Sequence, residues 1–205
     1  MKEKLVYIRA KSDKVPPLQK RLVKVLLFFL LGALLGFLAK FTDGSVVGLI
    51  GSYLGFWVAV TTIIAVRSRS PKAAALHAFV FLIAMLFAYY SYSTVLFEFF
   101  PKDYFIAWGS IALLSPLAGY AVWYAKGNGW FAAFCAASPI SLLLVEGYSF
   151  FNMLSIPRGF DLILAILLFI ILPANHFQRL RMLPIVTLLF FLIERLGAFN
   201  YLPGS

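Results

Sequence analysis

Charge is scarce in this chain, and negative charge is scarcest: 13% of its 205 residues are charged, with eight acids against eighteen lysines and arginines. Together with 62% hydrophobic residues, that is too little charge to coat a soluble domain of this size, so the soluble globular class is excluded. Cysteine occurs once, as Cys135 inside an apolar run. An intrachain disulfide is therefore impossible, the redox compartment is left open, and a small packing residue is the role expected. The two histidines, His77 and His176, have no ligand companions at helical spacing, so neither a metal nor another cofactor is expected. The metalloprotease H-E-x-x-H, serine-hydrolase G-x-S-x-G, Walker A and paired-cysteine patterns are missing as well, and no enzyme class is indicated.

What is present is seven apolar runs separated by short charged loops. A bilayer core of about 30 Å requires roughly 17 to 25 apolar residues per helix. The runs predict spans at 24 to 41, 46 to 66, 73 to 97, 103 to 125, 129 to 151, 158 to 175 and 183 to 202. The expected fold class is all-α: a polytopic transmembrane bundle of about seven helices forming one domain over 24 to 205, behind a basic tail at 1 to 23. The last two spans contain strictly apolar stretches, Leu162 to Ala174 and Met182 to Ile193, that reach only about 20 Å. Each must extend through charged neighbours or remain a half-helix.

The loops sort by sign. With the N-terminus inside, inner segments hold fourteen of the eighteen cations and only Glu3 and Asp13 among the acids. The positive-inside rule then sets the N-terminus of this multi-pass chain in the cytoplasm. The basic excess is accounted for by topology, and nucleic acid is not an expected partner. The tail, MKEKLVYIRAKSDKVPPLQKRLVK, also has the composition to attract anionic lipid headgroups, each cation contributing about 1 kcal/mol.

Two patterns mark packing and a third marks a site. The first span carries Gly32 and Gly36, the second Gly51 and Gly55, each pair a G-x-x-x-G that lets helices approach closely in lipid; the two are expected to meet in an antiparallel hairpin. Ser115-Pro116 and Ser138-Pro139 fall at matching depth in the fourth and fifth spans, where proline removes a hydrogen bond and kinks the helix. Paired interruptions of this kind point to a midplane binding site in transporters. Glu146 lies seven residues beyond Pro139, on one helical face with Ser138, Leu142 and Ser149. Glu194 and Arg195 fall near the middle of a seventh span that begins at Leu183. Intramembrane charge usually faces a cavity. The expected site is an outward-opening polar cavity between the fourth, fifth and seventh spans, formed by Glu146, Glu194 and Arg195 with Arg158 and Asp161. Ser115 and Ser138 stand at its kinks, and Tyr90, Thr94 and Glu98 form a wall from the third span. An interfacial aromatic belt is the alternative for the tyrosines.

The stretch LGFWVAVTTIIAVRSRSPKAAALHAFVFLIAMLFAYYSYS contains a basic turn at Ser70-Pro71, followed by Ala73, Ala74 and Ala75, and an outer Tyr89-Tyr90 pair. It resembles a family of small bacterial integral-membrane proteins of uncharacterised function. That resemblance implies a bacterial plasma membrane and no activity. In size and basic topology the chain is also similar to the substrate-binding subunits of energy-coupling-factor vitamin transporters, which have six helices rather than seven and an A-x-x-x-A docking pattern without a clear match here. Two function classes follow: a small-molecule binding or transport component, or a non-catalytic accessory protein that packs against a membrane partner complex.

Overall fold

The computed structural model describes residues 8–10, 16–152 and 154–197. Among them are eight α-helices and no strand: α1 Leu18–Phe41, α2 Val46–Ser52, α3 Leu54–Arg67, α4 Pro71–Phe97, α5 Lys102–Val122, α6 Trp130–Tyr148, α7 Ile156–Ile171 and α8 His176–Leu196. Short 3-10 turns, Trp123–Lys126 and Ser149–Phe151, extend α5 and α6. Helices α1, α4, α5, α6 and α8 are each long and apolar enough to cross a bilayer, so the chain is an all-helical, multi-pass membrane protein.

Three expected spans take a different form. The second is broken: α2 and α3 meet at Tyr53 with a bend of 68°. Gly48, Gly51 and Gly55 weaken this stretch as a helix, each less favourable than alanine by about 1 kcal/mol, and α2 folds so tightly onto the preceding loop that a Cβ on Gly48 would overlap the Thr42 carbonyl. The sixth is short, since sixteen residues of α7 reach about 24 Å, less than the hydrocarbon thickness. The seventh begins earlier than Leu183, at His176, because Asn175 caps it by accepting from the Gln178 amide at 2.9 Å. Ser70 caps α4 in the same way, with Pro71 in the first turn.

The bundle is organised around α6, the most buried of the five long helices, which packs along α7 and α8. A second layer pairs α1 with α4. Here the expected meeting of the two G-x-x-x-G motifs is replaced: Gly32 and Gly36 face α4, where an added Cβ would overlap the carbonyls of Phe81 and Met85. Gly51 packs on Ala39 of α1, and Gly55 turns away toward α7. All four glycines are thus used within the chain.

The basic loops gather at one end of the bundle, tied to one another by hydrogen bonds. Arg9 donates to the carbonyls of Trp123 and, at 2.9 Å, Val66, and its guanidinium lies 4.2 Å from the Trp123 ring centroid. Trp123 donates its indole N–H to Ser68 at 2.7 Å, and Lys126 reaches the Ile171 carbonyl at 2.6 Å. Gln178, fully buried, both donates to the Gly129 carbonyl and accepts from the Gly129 amide. These bonds close the chain ends of α3, α5 and α7 against the start of α6. At the opposite, acid-bearing end, Lys40 pairs with Asp43 at 2.5 Å beneath the rings of Phe97 and Tyr89.

Candidate functional site

Helices α5 and α6 are joined tightly at the basic end but make few contacts along their lengths. Their divergence, with α3 and α4 behind, opens a cavity of about 1160 Å³. Pro116 cannot bond the Ala112 carbonyl one turn back, and Ser115 supplies the missing donor, its hydroxyl lying 2.6 Å from that oxygen. Beside Pro139, the Ser138 hydroxyl instead returns to the Phe134 carbonyl at 2.9 Å. Both serines line the cavity, as does Pro139.

The wall changes character along its length. Toward the basic end it is made of Ala65, Ala118, Gly119 and Val122, small and apolar. Toward the acidic end come Tyr53, Trp57, Tyr89, Tyr90, Tyr104 and Trp108 together with Glu146, Ser149, Arg158 and Glu194. The face of α6 that periodicity assigns to Ser138, Leu142, Glu146 and Ser149 is the face that lines the cavity. Tyr90 is 6% exposed and packs edge-on against Phe105 with ring centroids 5.6 Å apart.

Other residues named from sequence stand elsewhere. Because α8 runs from His176 only to Leu196, ended by the left-handed cap Gly197, Glu194 and Arg195 lie in its last turn, not at mid-depth. Glu194 still borders the cavity mouth, whereas Arg195 is exposed and outside it. Glu98 ends α4 as a left-handed cap with φ 54° and is exposed; Thr94 bonds back to the Tyr90 carbonyl at 2.8 Å. Neither Thr94 nor Glu98 lines the cavity. Among the described residues no group of His, Cys, Asp and Glu could hold a metal ion. His77 is buried, sharing a 2.9 Å hydrogen bond with Ser68.

Two features central to the site, a helix break and the seat of a buried carboxylate, are not legible in the sequence. The first is the α2/α3 break, since Gly51, Ser52, Tyr53 and Leu54 all line the cavity, so an interrupted membrane helix faces it. Gly48, Gly51 and Gly55 are the available signal, of which the sequence pattern marks only Gly51 and Gly55, as a packing pair. The second is the seat of Asp161 on α7, a residue the sequence already assigns to the site but does not place against Gly55. Its side chain is 1% exposed and seated on the backbone of Gly55, where any Cβ would overlap the carboxyl oxygen. Gly147 lets the two helices come this close: a Cβ there would stand 3.1 Å from the Arg158 carbonyl. The juxtaposition brings Glu146 of α6 and Arg158 of α7 within electrostatic reach of Asp161.

Residues 15–202 match the family of unknown function DUF6518, and the chain belongs to that family. No curated protein and no solved structure matches it.

Proposed function

We propose that this member of a family of unknown function is a small-molecule binding or transport component of the bacterial plasma membrane, taking an organic cation into its cavity from the outer side. The observation that carries the reading is the cavity itself. At about 1160 Å³ it is large enough for a drug-sized ligand, whose sites run to roughly 300–1,000 Å³. Its outer part combines aromatic rings with the carboxylates of Glu146 and Glu194 against a single cation, Arg158. Aromatic faces and carboxylates together favour an ammonium or similar cation, through ring quadrupoles and Coulomb attraction. A broken helix beside the cavity also fits, because interrupted helices supply binding groups in many transporters. Orientation follows the charge: the basic end belongs in the cytoplasm, which turns the acidic, aromatic end outward.

The accessory-protein alternative has less support. Such a protein would hold its partner through the G-x-x-x-G faces and the basic tail, and of these the glycines are occupied by α4, α1 and α7 of the same chain. The deciding experiment is binding of tetraphenylphosphonium and smaller quaternary ammonium probes to purified protein in nanodiscs. Expected is saturable binding that Glu146→Gln weakens at least tenfold; no saturable binding by the unaltered protein to any such probe would refute the reading. A cysteine placed at Glu146 in a Cys135→Ala background should react with an impermeant thiol reagent added from outside.

A further inference from the structure

Asp161 stands behind the cavity wall as the most deeply buried acid of the bundle. Among the described residues its Oδ2 has no hydrogen-bond partner, and Arg158, one turn earlier on the same helix, is not in ion-pair contact with it. An ionised carboxylate in such a place lacks both solvation and pairing, a costly state. The charges facing it are few. Helix α7 packs against α2, α3 and α6. Helices α2 and α3 carry no charged residue before Arg67 at the far end, and α6 carries only Glu146. Two carboxylates therefore share one guanidinium, leaving one negative charge that needs a small cation. Gly55 provides the seat, having no side chain to occupy the space.

We propose that Asp161 is a proton-carrying residue whose occupancy is coupled to ligand in the cavity. The proposal rests on the reading of the cavity as a cation site and adds the ion exchanged there. Glu146, which lines the cavity and lies in electrostatic reach of Asp161, is the relay. It takes a proton from cavity water and passes it to the Asp161 carboxylate, returning to its own ionised form. When an organic cation then pairs with Glu146, the cluster holds one positive charge too many. The Asp161 proton leaves by the same route to water, so one charge enters as one departs. Both oxygens of each carboxyl group are conserved throughout, and only the proton moves.

The test needs no ligand. Full-length protein in nanodiscs is compared by infrared difference spectroscopy between acidic and alkaline buffer, with and without aspartate labelled at its side-chain carbonyl carbon. The expected result is a protonated-carboxyl stretch that moves on labelling, disappears in Asp161→Asn, and is displaced in Gly55→Ala, where the added methyl group crowds the carboxyl. Labelling identifies an aspartate without any substitution, so the result does not depend on a variant folding. A signal that ignores the label, or that survives unchanged in a folded Asp161→Asn protein, overturns the proposal. A signal suppressed by sodium chloride at constant pH, with no organic cation present, also overturns it, assigning the site to an alkali cation. If the carboxyl signal behaves as expected while no cationic probe binds at any pH, the proton site stands and the ligand reading fails.

Discussion

Gly36→Ala tests the docking of α1 on α4 more directly than any other change. In an ordinary helix interior, glycine to alanine gains about 1 kcal/mol, because the unfolded chain loses freedom and the helix is better formed. At position 36 the new methyl group would overlap the Met85 carbonyl and come within 2.9 Å of its carbon and Cα. Those are backbone atoms, which cannot rotate aside as a side chain does, so α1 must move away from α4. Overpacking of this kind costs about 1–3 kcal/mol, and the net expectation is a loss of up to about 2 kcal/mol. For a chain of this length that corresponds to a fall in melting temperature of up to roughly 8 °C. Gly109→Ala is the matched control: its methyl group would meet only Leu86 Cδ2, at an ordinary 3.7 Å. It should raise the melting temperature by about 2–4 °C. Both are read by circular dichroism during heating in one mild detergent. If Gly36→Ala stabilises the protein as Gly109→Ala does, α1 does not pack on α4 through this glycine, and the reasoning is wrong.

Arg9→Ala should lower stability by about 1–3 kcal/mol, since the Val66 and Trp123 carbonyls lose a charged donor and the Trp123 ring loses its stacked cation; Arg9→Lys should recover little, because a lysine ammonium cannot reproduce the planar fork. Gln178→Leu removes both bonds to Gly129 and should cost about 1–3 kcal/mol for the unpaired backbone groups left inside, read as a lower melting temperature. Ser115→Ala should cost about 1 kcal/mol by leaving the Ala112 carbonyl without its donor. The same change in a Pro116→Ala background should cost less, since the restored residue 116 amide then supplies the bond; a double-mutant cycle measures the difference.

The legible part of the site was local. Glu146 was found because a carboxylate in an apolar helix is conspicuous, and its neighbours at Ser138, Leu142 and Ser149 follow from helical periodicity alone. The tyrosines were less decidable, because an aromatic residue near a helix end serves a lipid interface and a cavity wall equally well. Tyr90 is buried in the wall, whereas Tyr104 combines a place in the lining with an exposed face. Glu194 and Arg195 were placed at mid-depth by counting from Leu183. Their depth changed once Asn175 capped the helix seven residues earlier and the left-handed cap Gly197 ended it after Leu196, outcomes that depend on the bonds of Asn175 and Gln178 and on the backbone at Gly197 rather than on hydropathy.

The sequence by itself determined that this is a helical membrane protein, because hydropathy is a property of each residue and the bilayer tests it residue by residue. It likewise determined the segregation of basic loops, since alternate loops of a threaded chain must share a side. Only the tertiary structure decided where the second span breaks, which helix the glycines of α1 meet, and that Asp161 seats on Gly55. Those outcomes depend on which backbone comes near which: a glycine permits close approach without naming the partner, and a buried carboxylate gains its chemistry from groups far away in sequence.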